Sequence, residues 1–155
     1  MSRPRSATAV SVHEPLVQPW VPVVSLVLAA LGLAVSGYLT YEHFTASTTL
    51  ACPDTGTWNC VTVTTSAQSK LFGIPVALLG LLAYVAVLAF VVWDSELART
   101  LAAAIALSAV GFAVYLITLQ AFVIDAWCVW CLVNDLVIVP LLAVLTVWRV
   151  RRTPA

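Results

Sequence analysis

The chain has 155 residues, of which 62% are hydrophobic and 9% charged, with zero formal net charge. A water-soluble domain carries about a quarter charged residues, so a soluble globular fold is excluded and one membrane-embedded domain is expected. The balance of seven basic and seven acidic residues points neither to nucleic acid nor to an acidic substrate.

Taken in chain order, residues 1–18 read as a cytoplasmic tail without regular structure. The first apolar stretch runs from about Trp20 to Tyr41. A hydrocarbon core of ~30 Å takes about 20 helical residues to cross, so this stretch is long enough. Its apolar core exceeds the ~7–15 residues of a signal sequence, and 19 residues precede it, so it reads as a retained span. Glu42 and His43 at its outer end read as interfacial anchors, with proton transfer as the other role for His43.

A loop of 32 residues, 42–73, follows, carrying Cys52, Pro53, Asp54, Gly56 and Cys60. Residues 61–71 predict a short helix lying over the mouth of the bundle. The second span runs from about Ile74 to Trp93; Pro75 suits a helix start, where its missing N–H is no loss. The third lies between about Leu97 and Ile124. The fourth runs from about Trp127 to Trp148, with Pro140 expected to kink it, and 150–155 form a second tail. Gly32, Gly37, Gly80 and Gly111 allow close helix contacts. Irregular backbone cannot face lipid. The predicted fold is therefore all-α: an integral membrane four-helix bundle over residues 19–149, with a long outer loop between helices 1 and 2.

Orientation follows from basic residues, which favour the cytoplasmic side. Arg3, Arg5, Arg99, Arg149, Arg151 and Arg152 fall on one side and only Lys70 on the other. Both termini are expected in the cytoplasm of a multi-pass plasma-membrane protein, with the 42–73 loop outside.

All four cysteines then lie outside, where disulfides persist. Four cysteines allow three connectivities. Cys52 and Cys60 suit a structural bridge as well as a redox one. The segment 126–135, AWCVWCLVND, holds the other two. A bridge between Cys128 and Cys131 closes so short a loop that it stabilises little, which favours redox chemistry. Cys128 is expected in the first turn of its helix. Unpaired N–H groups and the positive end of the helix dipole favour its thiolate there. Trp127 and Trp130 mark the interface, and Cys131 lies one turn deeper. A zinc site would normally use two close cysteine pairs, and the seven-residue gap between Cys52 and Cys60 fits this poorly, even with His43 as an extra ligand. Thiol–disulfide exchange from a mobile, water-facing pair to a fixed pair beside the bilayer reads as a relay from protein thiols to a lipid quinone.

The order Cys52-x7-Cys60, Ser66, Phe72-Gly73-Ile74-Pro75, Gly80, Tyr84 and Cys128-x2-Cys131 resembles the vitamin K epoxide reductase family in its bacterial form, over roughly residues 20–148. The other quinone-linked family of disulfide formation, the disulfide bond formation protein B type, has its CxxC in the first outer loop and does not fit. The resemblance implies Cys128 and Cys131 as the active pair, with Cys131 meeting the quinone ring. It implies that Cys60 exchanges with Cys128 and Cys52 with the outside partner, and that Ser66 lies near the quinone. It implies a lipid quinone, menaquinone or ubiquinone, as electron acceptor. Many relatives carry a fused thioredoxin-like domain; here a separate extracytoplasmic thioredoxin-fold (DsbA-like) protein is expected instead. The expected activity is a thiol oxidase and quinone reductase. A quinone-epoxide reductase, or a non-enzymatic tetraspan with structural disulfides, is the alternative.

Asn134 and Asp135 share the face of Cys131. Polar groups inside spans usually line an interior site, so both read as quinone contacts, Asp135 also as a proton source; hydrogen bonding to a neighbouring helix is the plainer role. Phe72, Phe112, Tyr115 and Trp130, with Trp58, are candidate walls for a flat ring, or simply packing residues.

Overall fold

The computed structural model describes residues 20–45, 51–52 and 55–152; the tail expected at 1–18, and Pro53 and Asp54, lie outside them. Among the described residues four segments are long and apolar enough to cross a membrane: Trp20–Thr45, Val76–Trp93, Glu96–Ile124 and Val129–Arg152. They fall on the four expected stretches. The last runs through residue 150, where the sequence suggests a tail.

Helix α1 (Trp20–Thr45) leads into the loop, which holds helix α2 (Cys60–Thr65), a 3₁₀ turn (Ala67–Ser69) and the antiparallel strands β1 (Lys70–Leu71) and β2 (Ile74–Pro75). The helix expected over 61–71 thus stops early. Residues 61–65 are all Val or Thr, β-branched and weak helix formers. Ser66 then leaves helical geometry, and its hydroxyl donates to the Val63 carbonyl at 2.8 Å. Phe72 (φ 52°) and Gly73 (φ 83°) make the two-residue hairpin turn, in which both positions need positive φ.

Helices α3 (Val76–Trp93) and α4 (Glu96–Leu119) follow; α4 widens into a π-turn at Gln120–Ile124. The fourth span starts as α5 (Val129–Val133), passes through a second π-turn at Asn134–Ile138 and continues as α6 (Val139–Arg152). The Val139 N–H reaches back five residues to the Asn134 carbonyl. This wide turn sits just ahead of Pro140, whose ring would strike the Leu136 carbonyl in a regular helix. The expected kink takes this form.

Helix α1 packs along α3, and α4 along α6. Gly32 lets the Tyr84 ring cross α1, since a Cβ there would overlap that ring. Gly111 has open space around it instead of the expected helix contact. Ala29, Tyr84, Val87, Ala113, Ile138 and Leu142 form the central core. Leu82, Val85, Leu107 and Val114 are exposed, as befits surfaces that meet acyl chains. Buried hydroxyls bond within their own helices, as Thr40 does to the Ser36 carbonyl at 2.7 Å. At one end of the bundle Asp94 (φ 48°) caps α3 and accepts from Arg99 at 2.8 Å and Arg149 at 2.5 Å. The Arg99 hydrogen bond and the Arg149 charge hold its carboxyl below the ordinary carboxylate range. The cysteines lie at the opposite end.

Candidate active site

Cys128 is the N-cap of α5, one position before the first turn in which the sequence places it. Its sulfur accepts the backbone N–H of Cys131 at 3.4 Å and the Cys131 thiol at 2.9 Å. Both are free thiols, close enough that a small side-chain movement closes the ~2.0 Å bond of a disulfide. Cys128 is fully buried. The Cys131 thiol, aided by the backbone N–H groups of Cys131 and Trp130, holds the Cys128 thiol below its ordinary range despite that burial. These are the N–H groups that a helix start leaves without partners.

The first π-turn supplies a further contact. Gln120 is buried, and its Oε1 accepts the Cys128 backbone N–H at 2.9 Å. Sequence reasoning missed Gln120. It stands eight residues before Cys128, and the contact exists only because the π-turn and Asp125, at φ 53°, fold the chain back.

Cys52 and Cys60 form a disulfide, with Cα atoms 6.0 Å apart. Asn59 caps α2, accepting the Thr62 N–H on Oδ1 at 2.8 Å. Two backbone hydrogen bonds tie this part of the loop to the start of the fourth span. The Trp127 N–H donates to the Thr57 carbonyl at 2.8 Å, and the Asn59 N–H donates to the Trp127 carbonyl at 3.0 Å. Cys60 and Cys128 consequently share one buried cluster with Leu39, Val63 and Ala126, and Cys52 and Cys131 pack against it. All four cysteines meet at one place.

Beside the cluster lies a cavity of about 630 Å³, within the range of small-molecule sites. Cys131, Asn134, Asp135 and Tyr84 line its polar part. The Tyr84 hydroxyl donates to Asn134 Oδ1 at 2.7 Å, and Asn134 Nδ2 donates to Asp135 Oδ1 at 3.0 Å. Asp135 Oδ2 is buried with no partner, a costly arrangement unless something else meets it. The second π-turn carries both Asn134 and Asp135, and such turns often mark functional sites. The other walls are mostly apolar. An apolar slot with a few convergent polar groups and a thiol fits a quinone ring with its lipid tail.

Of the remaining candidates, Ser66 and Phe112 line the cavity. His43, read as an anchor, lines it too, with Nδ1 3.2 Å from the Thr64 carbonyl. That oxygen can only accept, so Nδ1 is the donor in this contact. Phe72, Tyr115 and Trp130 are not among the lining residues. Phe72 is 98% exposed, because the hairpin turn projects it outward. Tyr115 is exposed on α4 and packs its ring on Phe112 at 5.8 Å. Trp130 turns away to meet the Tyr38 ring at 5.8 Å, since successive helix residues point in different directions.

The profile of the Vitamin K epoxide reductase family matches residues 23–146, most of the chain. No curated protein matches it. Members of that family are oxidoreductases that act with quinones and use disulfide chemistry.

Proposed function

Because the chain belongs to the vitamin K epoxide reductase family, we propose that it is a membrane thiol oxidase. Electrons enter from a separate extracytoplasmic thioredoxin-fold protein at Cys52. They pass through the Cys52–Cys60 pair to Cys128–Cys131 and leave on a lipid quinone, menaquinone or ubiquinone. The net result is disulfide formation outside the cell.

The observation that carries this reading is the meeting of both cysteine pairs in one buried cluster at the edge of the cavity. Cys60 is held next to Cys128 by the Asn59–Trp127 hydrogen bond. The lowered Cys128 thiol is a good leaving group in exchange. The bonded outer pair and free inner pair match the stage at which two electrons rest on Cys128 and Cys131.

A bound quinone supplies the capacity to take up two electrons and two protons. Cys131 faces it as the inner thiol. Tyr84 and Asn134 orient the Asp135 carboxyl, whose free Oδ2 is aligned to hold or deliver a proton. Ser66 and His43 stand at the loop side of the cavity. The exposed face of the spans meets lipid, so an acceptor dissolved in the bilayer reaches the site without crossing water.

The test is reconstitution of the full chain in lipid with a reduced thioredoxin-fold dithiol protein and menaquinone or ubiquinone. Quinol should accumulate in step with disulfide in the dithiol protein. Turnover of the dithiol protein with a quinone epoxide but not with a quinone as the acceptor would replace this assignment with that of an epoxide reductase.

A further inference from the structure

In the relay proposed above, on which this step rests, we infer that Tyr38 and Trp130 are positioning residues: they clamp the chain beside Cys52 so that Cys52 can resolve a Cys60–Cys128 mixed disulfide.

The clamp is formed on one backbone unit, that of Ala51. Its N–H donates to the Tyr38 hydroxyl at 3.0 Å, and its carbonyl accepts the Trp130 indole N–H at 2.9 Å. The two rings meet edge to face at 5.8 Å. Ala51 is exposed, where water would otherwise satisfy both of its polar groups. Two aromatic side chains from different spans take the place of that water. Water would satisfy the groups equally well but would fix nothing in space. Trp130 stands between Cys128 and Cys131, so the clamp is part of the element that carries the inner pair. Cys52 is the next residue after Ala51 and packs against the cluster of Cys60 and Cys128.

The chemistry needs such a hold. The Cys60 thiolate attacks Cys128 Sγ of the oxidised inner pair. The Cys60–Cys128 bond forms, the Cys128–Cys131 bond breaks, and Cys131 leaves as a thiolate. The Cys52 thiolate then attacks Cys60 Sγ. The Cys52–Cys60 bond forms, the Cys60–Cys128 bond breaks, and Cys128 leaves as a thiolate. Two electrons have moved from the outer pair to the inner one, and the protons of the outer thiols pass to water. In the second step Cys52 competes with the back-attack of Cys131. Anchoring Ala51 raises the effective concentration of Cys52 at Cys60.

The experiment uses the full chain in lipid with all four thiols reduced. Menadione is added as a short-chain quinone, and samples are quenched in acid, alkylated and mapped by non-reducing mass spectrometry. Tyr38→Phe removes one hydroxyl and keeps the ring. Its inner disulfide should form at the wild-type rate. The Cys60–Cys128 species should accumulate, and the Cys52–Cys60 bond should appear roughly three- to ten-fold more slowly, the worth of one hydrogen bond. Trp130→Phe, which loses the indole N–H, should slow the same step. Wild-type resolution in Tyr38→Phe overturns the clamp, and so does equal slowing of the inner-pair step. A wild-type chain whose inner pair menadione never oxidises would instead remove the quinone relay itself.

Discussion

The backbone N–H of Asn59 donates to the Trp127 carbonyl at 3.0 Å, so the residue before Cys60 is bonded to the residue before Cys128. That bond sets two distant segments side by side, one from the outer loop and one from the start of the fourth span. Registering the two cysteines through the backbone leaves their side chains free to move.

Replacement of the inner thiol, Cys131→Ser, should lower dithiol-driven quinone reduction by at least about 10³-fold, as loss of a covalent nucleophile does. Cys128 would keep its place, and Cys60 would be captured on it. A Cys60–Cys128 cross-link on a non-reducing gel is the expected product, and full turnover by this variant would refute the assignment.

Asp135 should matter far more for activity than for stability. Its Oδ2 is buried without a partner, which costs about 1–3 kcal/mol. Asp135→Leu removes that oxygen but also the acceptor of Asn134 Nδ2, so its unfolding temperature in detergent should stay near that of the wild type. Asp135→Asn and Asp135→Leu should both lose roughly 10²- to 10⁴-fold in kcat, the range for loss of a general acid. A folded variant that is fully active would mean that Asp135 has no part in proton delivery.

The lowered Cys128 thiol gives a pH signature. As an acid whose proton is held more weakly than usual, it stays thiolate to lower pH than an ordinary cysteine. The ultraviolet absorbance of its thiolate in the reduced protein should fall off only below the ordinary thiol range. Because the Cys131 hydrogen bond is the leading cause, Cys131→Ala should move that midpoint upward. Gln120→Leu strips the Cys128 N–H of its acceptor, and should destabilise the protein by about 1–3 kcal/mol.

The far end of the bundle offers a separate test. Asp94 accepts from both Arg99 and Arg149, and its carboxyl is lowered. A lowered carboxyl contributes stability above its unfolded pKa and loses it as pH falls through the folded one. Asp94→Asn, which still tolerates the left-handed backbone at this position, should cost at most about 1 kcal/mol, because the group is half-exposed. The difference should shrink in high salt and in acid. Thermal unfolding at two salt concentrations measures it, and an effect indifferent to salt would assign the loss to shape.

The sequence by itself determined the four spans, because the length and apolarity of a crossing segment are local quantities that the thickness of the hydrocarbon fixes. It also determined the cysteine pattern, and that Cys128 stands where a helix begins, since the chain has only a short turn in which to reverse. The face shared by Cys131, Asn134 and Asp135 was legible from helical spacing. The side chains that hold the site were not. Phe72 fits an aromatic wall by composition, yet the tight hairpin turns it out. Gln120 becomes a partner of Cys128 through a π-turn that no local pattern announces. Tyr38 and Trp130 are 92 residues apart in the chain and meet on the backbone of Ala51. Contacts of this kind depend on where whole helices and the returning loop come to rest. That is decided by packing over the entire bundle, and only the tertiary structure records it.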